Sequence, residues 1–273
     1  MTKRILKDDD DDEVIDYSKK ASQRKAHSND KRKYLKAPVI AGELLLCIAV
    51  LTGLFLYYQL HYTGIAANKS QAAAMDSLKG QWQNDTTEGT KLPGDSLGII
   101  RIPKFSDGGE YVVFNGVEQD VLANGPGFYP NSQDFGDDGN SAIAAHRDGW
   151  NAPFSEIDVL QTCDTIEIET RDYVLTYTIP SSADNPADRR KENAKCFNPQ
   201  LQKALADDKY SSIDGHSIID PSKTDVIWPI PGKTEQSGDS TLSLLTLTTC
   251  HPHWSNEQRY IVHAVNTELK RKK

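Results

Sequence analysis

Three polar side chains at the ends of apolar runs have the chemistry that covalent acyl transfer requires. Cys250 closes the Thr- and Leu-rich run 241–250, and Arg259 follows it after a polar loop. His146 closes the apolar run 141–146. A thiolate attacks a carbonyl carbon, a His side chain exchanges protons near neutral pH, and the charged fork of Arg stabilises a developing oxyanion. Together the three residue types indicate an enzyme that forms a thioester on Cys250.

Each of these residues also has a structural interpretation. A free Cys at a strand end is more often a small buried side chain than a nucleophile. His146 can be a hydrogen-bonded core residue, and Arg259 can pair with Glu257 at the surface. Arg147 and Asp148, which follow His146, could orient the ring, but a solvated turn is the preferred interpretation. If all three candidates are structural, the chain is a non-enzymatic, membrane-anchored β-domain.

The segment 246–250, Thr-Leu-Thr-Thr-Cys, resembles the TLxTC signature of sortases, the cysteine transpeptidases of Gram-positive cell envelopes. His146 and Arg259 match the other two active-site positions of that family, and the resemblance covers roughly 97–265. It implies an eight-stranded barrel, cleavage of a sorting signal through a thioester, and transfer to an amine of a cell-wall precursor. The residue types alone equally allow a cysteine protease or peptidoglycan hydrolase. A papain-like enzyme, however, would place its Cys early and its His later, the reverse of the order in this chain.

The segment 125–130, Gly-Pro-Gly-Phe-Tyr-Pro, and the His-Pro pair after Cys250 are most similar to class E sortases, the housekeeping enzymes of high-GC Gram-positive bacteria. That class implies a Leu-Ala-x-Thr-Gly signal cleaved between Thr and Gly; class D, with a Leu-Pro-x-Thr-Gly signal, is the alternative. We expect Tyr129, Thr248 and Thr249 to contact the substrate. Ala keeps its backbone N–H and Pro does not, so the Tyr129 hydroxyl gains a hydrogen bond only with Ala. Packing of Tyr129 on the barrel rim is the alternative.

Short apolar or alternating runs, separated by turn residues, predict the strands that must position this chemistry. They lie at 98–103, 111–117, 141–146, 165–169, 173–179, 225–229, 242–249 and 259–265. Eight or so short strands with few helices predict a mostly-β fold, a closed eight-stranded antiparallel barrel with short helices. The polar segment 180–223 is predicted to be irregular, with one short helix at 198–206.

An apolar run at 39–60, interrupted by the single charge of Glu43, predicts one transmembrane helix before the barrel. The Lys and Arg side chains just before it place the N-terminus in the cytoplasm and the rest outside. A cleaved signal peptide is the alternative. We therefore predict five regions in chain order: a disordered cytoplasmic tail (1–36), a signal anchor (37–60), an extracytoplasmic stalk (61–94), the catalytic barrel (95–267) and a frayed basic tail (268–273).

The net charge of −8, without a basic stripe on the domain, argues against a nucleic-acid partner. The resemblance implies three partners instead: surface proteins with a C-terminal sorting signal, a peptidoglycan precursor amine and the plasma membrane. We predict no cofactor and no metal, because the run 251–253 (His-Pro-His) lacks a second ligand cluster and 134–138 lacks EF-hand spacing. Cys163 and Cys196 can either form a disulfide or remain free.

Overall fold

The computed structural model describes residues 38–58, 62–84, 95–233 and 240–272. The chain divides into two compact units, Met1–Leu56 and Tyr57–Lys273. The predicted cytoplasmic tail at 1–36 lies outside the described residues, and the division into five regions stays a prediction.

Helix α1 (Pro38–Tyr57) is the one helix among the described residues that is long and apolar enough to cross a membrane. Its 20 residues have a mean hydropathy of 2.5. At 1.5 Å per residue they span about 30 Å, the thickness of a bilayer core. Its large apolar side chains are exposed, Leu45 at 67 %. A helix that is apolar on every side fits a lipid environment.

The second unit is built around a closed β-barrel. Its strands in chain order are β1 (Ser96–Arg101), β2 (Tyr111–Asn115), β3 (Gly127–Phe128), β4 (Gly139–Ala144), β5 (Thr165–Glu169), β6 (Tyr173–Thr178), β7 (His216–Ile219), β8 (Ser243–His251) and β9 (Gln258–Arg271). The sheet order is β6-β5-β1-β2-β3-β4-β8-β9, and a further pairing of β6 with β9 closes this ring of eight. β7 pairs with the first half of β9. The predicted eight-stranded barrel is confirmed.

Two neighbouring pairs in the ring are parallel, which corrects the expectation of an antiparallel barrel. β2 runs parallel to β3, and β4 runs parallel to β8. Parallel neighbours need a crossover. The short helix α3 (Gln119–Leu122) connects β2 to β3, and strands β5 to β7 intervene between β4 and β8. Because β4 and β8 point the same way, the residues that end β8 and those that follow β4 lie at the same rim of the barrel.

The long segment between β6 and β8 is more ordered than its composition predicts. It contains α4 (Pro186–Asn193), α5 (Pro199–Leu205), β7 and a 3₁₀ helix at Thr224–Ile227. The helix predicted at 198–206 is confirmed, and the strand predicted at 225–229 is wrong. Its side chains at 225–228 are all half-buried instead of alternating, and Trp228 N donates to Asp225 O to make a turn. A disulfide between Cys163 and Cys196, with Cα atoms 5.6 Å apart, ties this segment to the barrel.

Strand periodicity divides the apolar side chains of β8 and β9 between two cores. Leu245 and Leu247 belong to the barrel interior. Leu244 and Val265 belong to a second cluster, on the outer face beneath the segment that joins β6 to β8. Side chains alternate along a strand, so Cys250, an even number of positions from Leu244, also lies on the outer face.

Helix α2 (Thr63–Asn84) packs against β1 and β2, so this part of the predicted stalk belongs to the body of the domain. Its Gln71 side chain accepts from Val112 N (2.7 Å) and donates to Val112 O (3.1 Å) and Asn124 O (2.8 Å). The next residue, Gly125, has a φ of +154°, and a Cβ there would lie 1.9 Å from Gln71 Nε2. Only glycine fits beside this helix.

The predicted basic tail is largely part of the barrel. β9 continues to Arg271, which pairs with Tyr173. Lys272 Nζ lies 2.6 Å from Glu169 Oε1 and 3.9 Å from the centre of the Trp82 ring. The expectation of a frayed end is wrong for residues 268–272, because strand pairing and ion pairs hold them; Lys273 lies outside the described residues.

Candidate active site

Cys250 and Arg259 are direct partners in the antiparallel β8–β9 pair, as the sequence predicts. Directly opposed residues in such a pair have Cα atoms about 4.5–5.5 Å apart. Cys250 is a free, partly exposed thiol. In this arrangement a thiol can act as a nucleophile, with a cation close to the carbonyl oxygen of its target.

The parallel pairing of β4 and β8 brings His146 to the level of Cys250. Ala144 pairs with Thr248, so the residues two positions further along each strand are His146 and Cys250. Two hydrogen bonds extend the register past the strand end: Ala145 N donates to Thr248 O (3.2 Å), and Thr249 Oγ1 donates to Ala145 O (2.7 Å). Neighbouring strands lie about 4.8 Å apart, so the thiol and the imidazole lie at one edge.

His146 is half-buried, and one of its ring nitrogens has no hydrogen-bond partner, which leaves that nitrogen available to exchange a proton. Its Nε2 is one of the buried side-chain nitrogens of the described chain that have no hydrogen-bond partner. Its ring stacks on Trp150, with centroids 6.4 Å apart. Burial lowers the pKa of His146 below its ordinary value, and the Asp148 charge partly opposes this. The neutral ring can therefore take a proton from the thiol and return it to a leaving amine.

Arg259 is held by the backbone of its own loop. Its Nη1 donates to Asn256 O (3.2 Å) and Gln258 O (2.9 Å). Within the described part of the chain its hydrogen bonds use Nη1 and do not include Glu257. Nε and Nη2 are thus left for a substrate oxyanion.

The three residues predicted to contact substrate do not share one face. Tyr129 Oη lies 3.2 Å from Thr248 Oγ1, and by strand alternation Thr248 is on the same face as Cys250, although it is only 5 % exposed. Thr249 is 3 % exposed, and its hydroxyl bonds Ala145 O. Alternation along β8 turns it away from the outer face. The assignment of Thr249 as a substrate contact stays a prediction; in the structure its hydroxyl is engaged with the backbone just before His146.

A buried polar network further along the outer face was missed from the sequence. Thr246 Oγ1 donates to Asn140 Oδ1 (2.8 Å) and contacts His263 Nδ1 (2.9 Å). Asn140 Nδ2 donates to Val226 O (3.2 Å) and Trp228 O (3.1 Å), which fixes the 3₁₀ segment over the strands. A cavity of about 410 Å³ adjoins it, lined by Asn131, Gln133, Thr224, Ile227, Trp228 and Pro229. Polar residues inside apolar strand patterns were the only signal of this network.

The solvated turn expected at Arg147 and Asp148 is wrong for Arg147. Its side chain is 2 % exposed. It contacts the loop that joins Cys250 to Arg259 through His251, 2.7 Å from its Nη1. The partners lie about a hundred positions away in sequence, so no local pattern could indicate the burial.

A barrel that brings a free thiol, an imidazole and a guanidinium to one edge defines a cysteine acyl-transfer enzyme. The sortase-domain family model matches residues 100–267. The chain is 26 % identical over 243 residues to sortase SrtE2 of Streptomyces coelicolor, covering 83 % of this chain and 81 % of that one. It is 24 % identical over 253 residues to SrtE1 of the same species, covering 90 % and 61 %.

The solved structure of the SrtF sortase from Corynebacterium diphtheriae matches with a TM-score of 0.64 and 31 % identity, covering 69 % of this chain and 92 % of that one. The chain belongs to the sortase family, whose members are cysteine transpeptidases. Its similarity to the Streptomyces relatives SrtE1 and SrtE2 fits the resemblance to class E.

Proposed function

We propose that this sortase cleaves a Leu-Ala-x-Thr-Gly or Leu-Pro-x-Thr-Gly sorting signal between Thr and Gly and transfers the protein to a cell-wall precursor amine. The observation that carries the proposal is the register of three strands. It brings Cys250, Arg259 and His146 to one edge of the barrel.

The reaction has two half-reactions with balanced protons. His146 takes the thiol proton, the Cys250 thiolate attacks the Thr carbonyl, and Arg259 stabilises the oxyanion. The C–N bond to Gly breaks as His146 returns its proton to the leaving amine, which leaves a thioester on Cys250. An acceptor amine then attacks the thioester and gives its proton to His146. The new amide forms as the thiolate leaves and regains a proton.

Substrate choice at the Ala or Pro position is proposed to depend on Tyr129. Its hydroxyl lies 3.2 Å from Thr248 Oγ1. When it donates there, its lone pairs remain available for the N–H of an Ala residue, which Pro lacks. This supports the Leu-Ala form of the signal as the better substrate.

Membrane anchoring is proposed from α1 and from the cations before it. The N-terminus would lie in the cytoplasm and the barrel outside, where surface proteins and the precursor amine are met. Protease added to intact protoplasts should then remove the barrel. If it trims only the acidic N-terminus, the proposed orientation is wrong.

The test of the reaction uses the full-length protein in detergent micelles and a Leu-Ala-x-Thr-Gly peptide. Intact-mass spectrometry should find the peptide acyl group on Cys250, and an added amine should convert it into an amide product. A thioester that forms but yields only the free acid, even with excess amine, would indicate a protease. Absence of any adduct would overturn the proposal.

A further inference from the structure

One buried guanidinium joins the two loops that carry the catalytic groups. Arg147 Nη1 lies 2.7 Å from His251 Nδ1, its Nε lies 3.2 Å from His253 Nε2, and its Nη2 donates to Asp158 Oδ2 at 2.8 Å. The guanidinium carbon lies 5.4 Å from the centre of the Tyr260 ring. All three nitrogens of the side chain are therefore engaged.

These contacts connect segments that lie far apart in sequence. Arg147 follows His146, whereas its two imidazole partners belong to the loop between Cys250 and Arg259. A shift of this loop would move the oxyanion donor relative to the thiol, and a misplacement of about 1 Å can cost a hundredfold in rate.

A second link to the same loop comes from Asp148. Its Oδ1 lies 2.6 Å from His253 Nδ1, and its Oδ2 accepts from Trp254 N at 2.8 Å. Trp254 has a φ of +62°, which is costly for a large side chain, and its ring is 69 % exposed. The strained backbone of this loop at Trp254 is therefore held by hydrogen bonds to Asp148, in the segment after His146.

The hydrogen-bond directions fix the protonation state of both rings. Arg has N–H donors and no acceptor, so His251 Nδ1 and His253 Nε2 must each present a lone pair. His253 Nδ1 is then free to donate to Asp148. The bond from Arg147 to His251 is made only while Nδ1 of His251 carries no proton.

We propose that Arg147 is a positioning residue for the transpeptidation: through its bonds to His251 and His253 it holds the Cys250–Arg259 loop against the segment after His146, and protonation of His251 on acidification loosens that hold. This inference rests on the catalytic roles proposed for those residues.

Charged and titratable groups surround the network on each side. Asp158 and Asp148 face it from the His146 side, and His216 of β7 stacks on the far side of Tyr260, with centroids 6.2 Å apart. Burial and the Arg147 charge lower the pKa of His251, and the Asp158 charge opposes them. The contribution of neutral His251 is fully present above about pH 6.5 and is lost as the pH falls through its lowered pKa.

The first test compares two arginines in the full-length protein. Arg147→Lys keeps the charge and loses the fork, so kcat for peptide transfer should fall about a hundredfold with little change in KM. Arg189 is the matched control, because its three nitrogens bond Ala183 O, Ser211 O and Asp214 away from the site. Arg189→Lys should lower the melting temperature and leave kcat unchanged. A wild-type kcat in Arg147→Lys, or an equal loss in both variants, would overturn the proposal.

The second test removes the titration and keeps the acceptors. In His251→Asn/His253→Gln the amide oxygens can accept from Arg147, so activity at pH 7 should stay within a few-fold of wild type. The acid limb of the kcat profile should move to lower pH, because His251 no longer titrates. If the acid limb stays at the same pH in the double variant, the limb reports the protonation of His146, and the proposed release of the loop is contradicted.

A third measurement separates this inference from the proposed function and still applies if Arg147→Lys fails to fold. Alkylation of Cys250 by iodoacetamide needs no peptide and reports the thiol environment directly. In wild type the alkylation rate should fall on acidification more steeply than in the double His variant. Parallel profiles would refute the role of the loop, even if no peptide substrate is turned over.

Discussion

Two groups of polar side chains on the barrel differ in how completely they are paired. In the ion-paired cluster, Arg101 lies 2.9 Å from Glu110 and 2.6 Å from Glu169, and Lys272 closes the group from the chain end. Burial raises the pKa of Glu169, but hydrogen bonds from Lys272 and Arg101 outweigh it and bring the pKa below its ordinary value.

At the catalytic edge the same kinds of groups are left incomplete. His146 Nε2 is buried without a partner in the described chain, and Cys250 is a free thiol. Arg259 uses one of its three nitrogens, on backbone carbonyls. Paired groups stabilise the fold, whereas groups held in place but unpaired are available to a reacting substrate. Substitutions in the two regions should therefore have opposite effects on stability and turnover.

The largest expected effect is the loss of the thiol. Cys250→Ala should abolish peptide cleavage, because no other side chain at the edge can form the acyl intermediate. The melting temperature should change little, since a partly exposed thiol contributes little packing. Cys47→Ala, at the other free thiol, is the control and should keep full activity. Cleavage by Cys250→Ala, measured by liquid chromatography of the products, would place the chemistry elsewhere.

Arg259→Lys should lower turnover about a hundredfold, the usual scale for one oxyanion donor. In the ion-paired cluster, Arg101→Gln should leave turnover unchanged and cost at most about 1 kcal/mol of unfolding free energy, because the pairs are partly exposed. Steady-state kinetics and urea unfolding of both variants test the contrast. Wild-type turnover in Arg259→Lys would make it an ordinary surface cation.

The buried His263 adds a third case to the comparison of paired and unpaired groups. It is hydrogen-bonded to Thr246, but its protonation still changes with pH. Burial lowers its pKa from 6.5 to about 4. Stability should be full above about pH 6.5 and fall as the pH drops toward 4, by about 2 kcal/mol between pH 7 and pH 5. His263→Asn, which can still donate to Thr246, should flatten the dependence in urea unfolding at the two pH values. If the unfolding free energy of the variant depends on pH as steeply as that of wild type, the loss of stability does not come from His263.

The smallest expected effect concerns Tyr129. One neutral hydrogen bond is worth about 0.5–1.5 kcal/mol, so wild type should cleave the Leu-Ala peptide a few-fold to about tenfold faster than the Leu-Pro peptide. Tyr129→Phe should narrow that ratio without loss of activity. Tyr111→Phe removes a hydroxyl bonded to Asp107 outside the site and should leave the ratio unchanged. Preference for the Leu-Pro peptide would favour class D.

The pairing of Cys250 with Arg259 across β8 and β9 could be predicted because a short loop joins two strands of strong apolar pattern. Cys250 and Arg259 then face each other by simple antiparallel register. The composition of β8 does not show whether the Thr249 side chain points into the barrel or outward. That depends on whether the odd-numbered or the even-numbered side chains of the strand face the interior. A local pattern also cannot indicate long-range partners, and Arg147 was missed for that reason. β7 alternates between exposed and half-buried side chains, but its sequence, His-Ser-Ile-Ile, does not alternate in hydrophobicity, so the strand could not be predicted.

The parallel pairing of β4 with β8 has a consequence for insertions and deletions. A single added residue within either strand would shift His146 about 3.3 Å relative to Cys250 and turn the following side chains to the opposite face. Length changes between β6 and β8 leave that register untouched, and the disulfide at Cys196 keeps the start of this connection attached to the barrel. The connection can therefore accept grafted loops that alter substrate choice, while the two strands tolerate substitution but not a change of length.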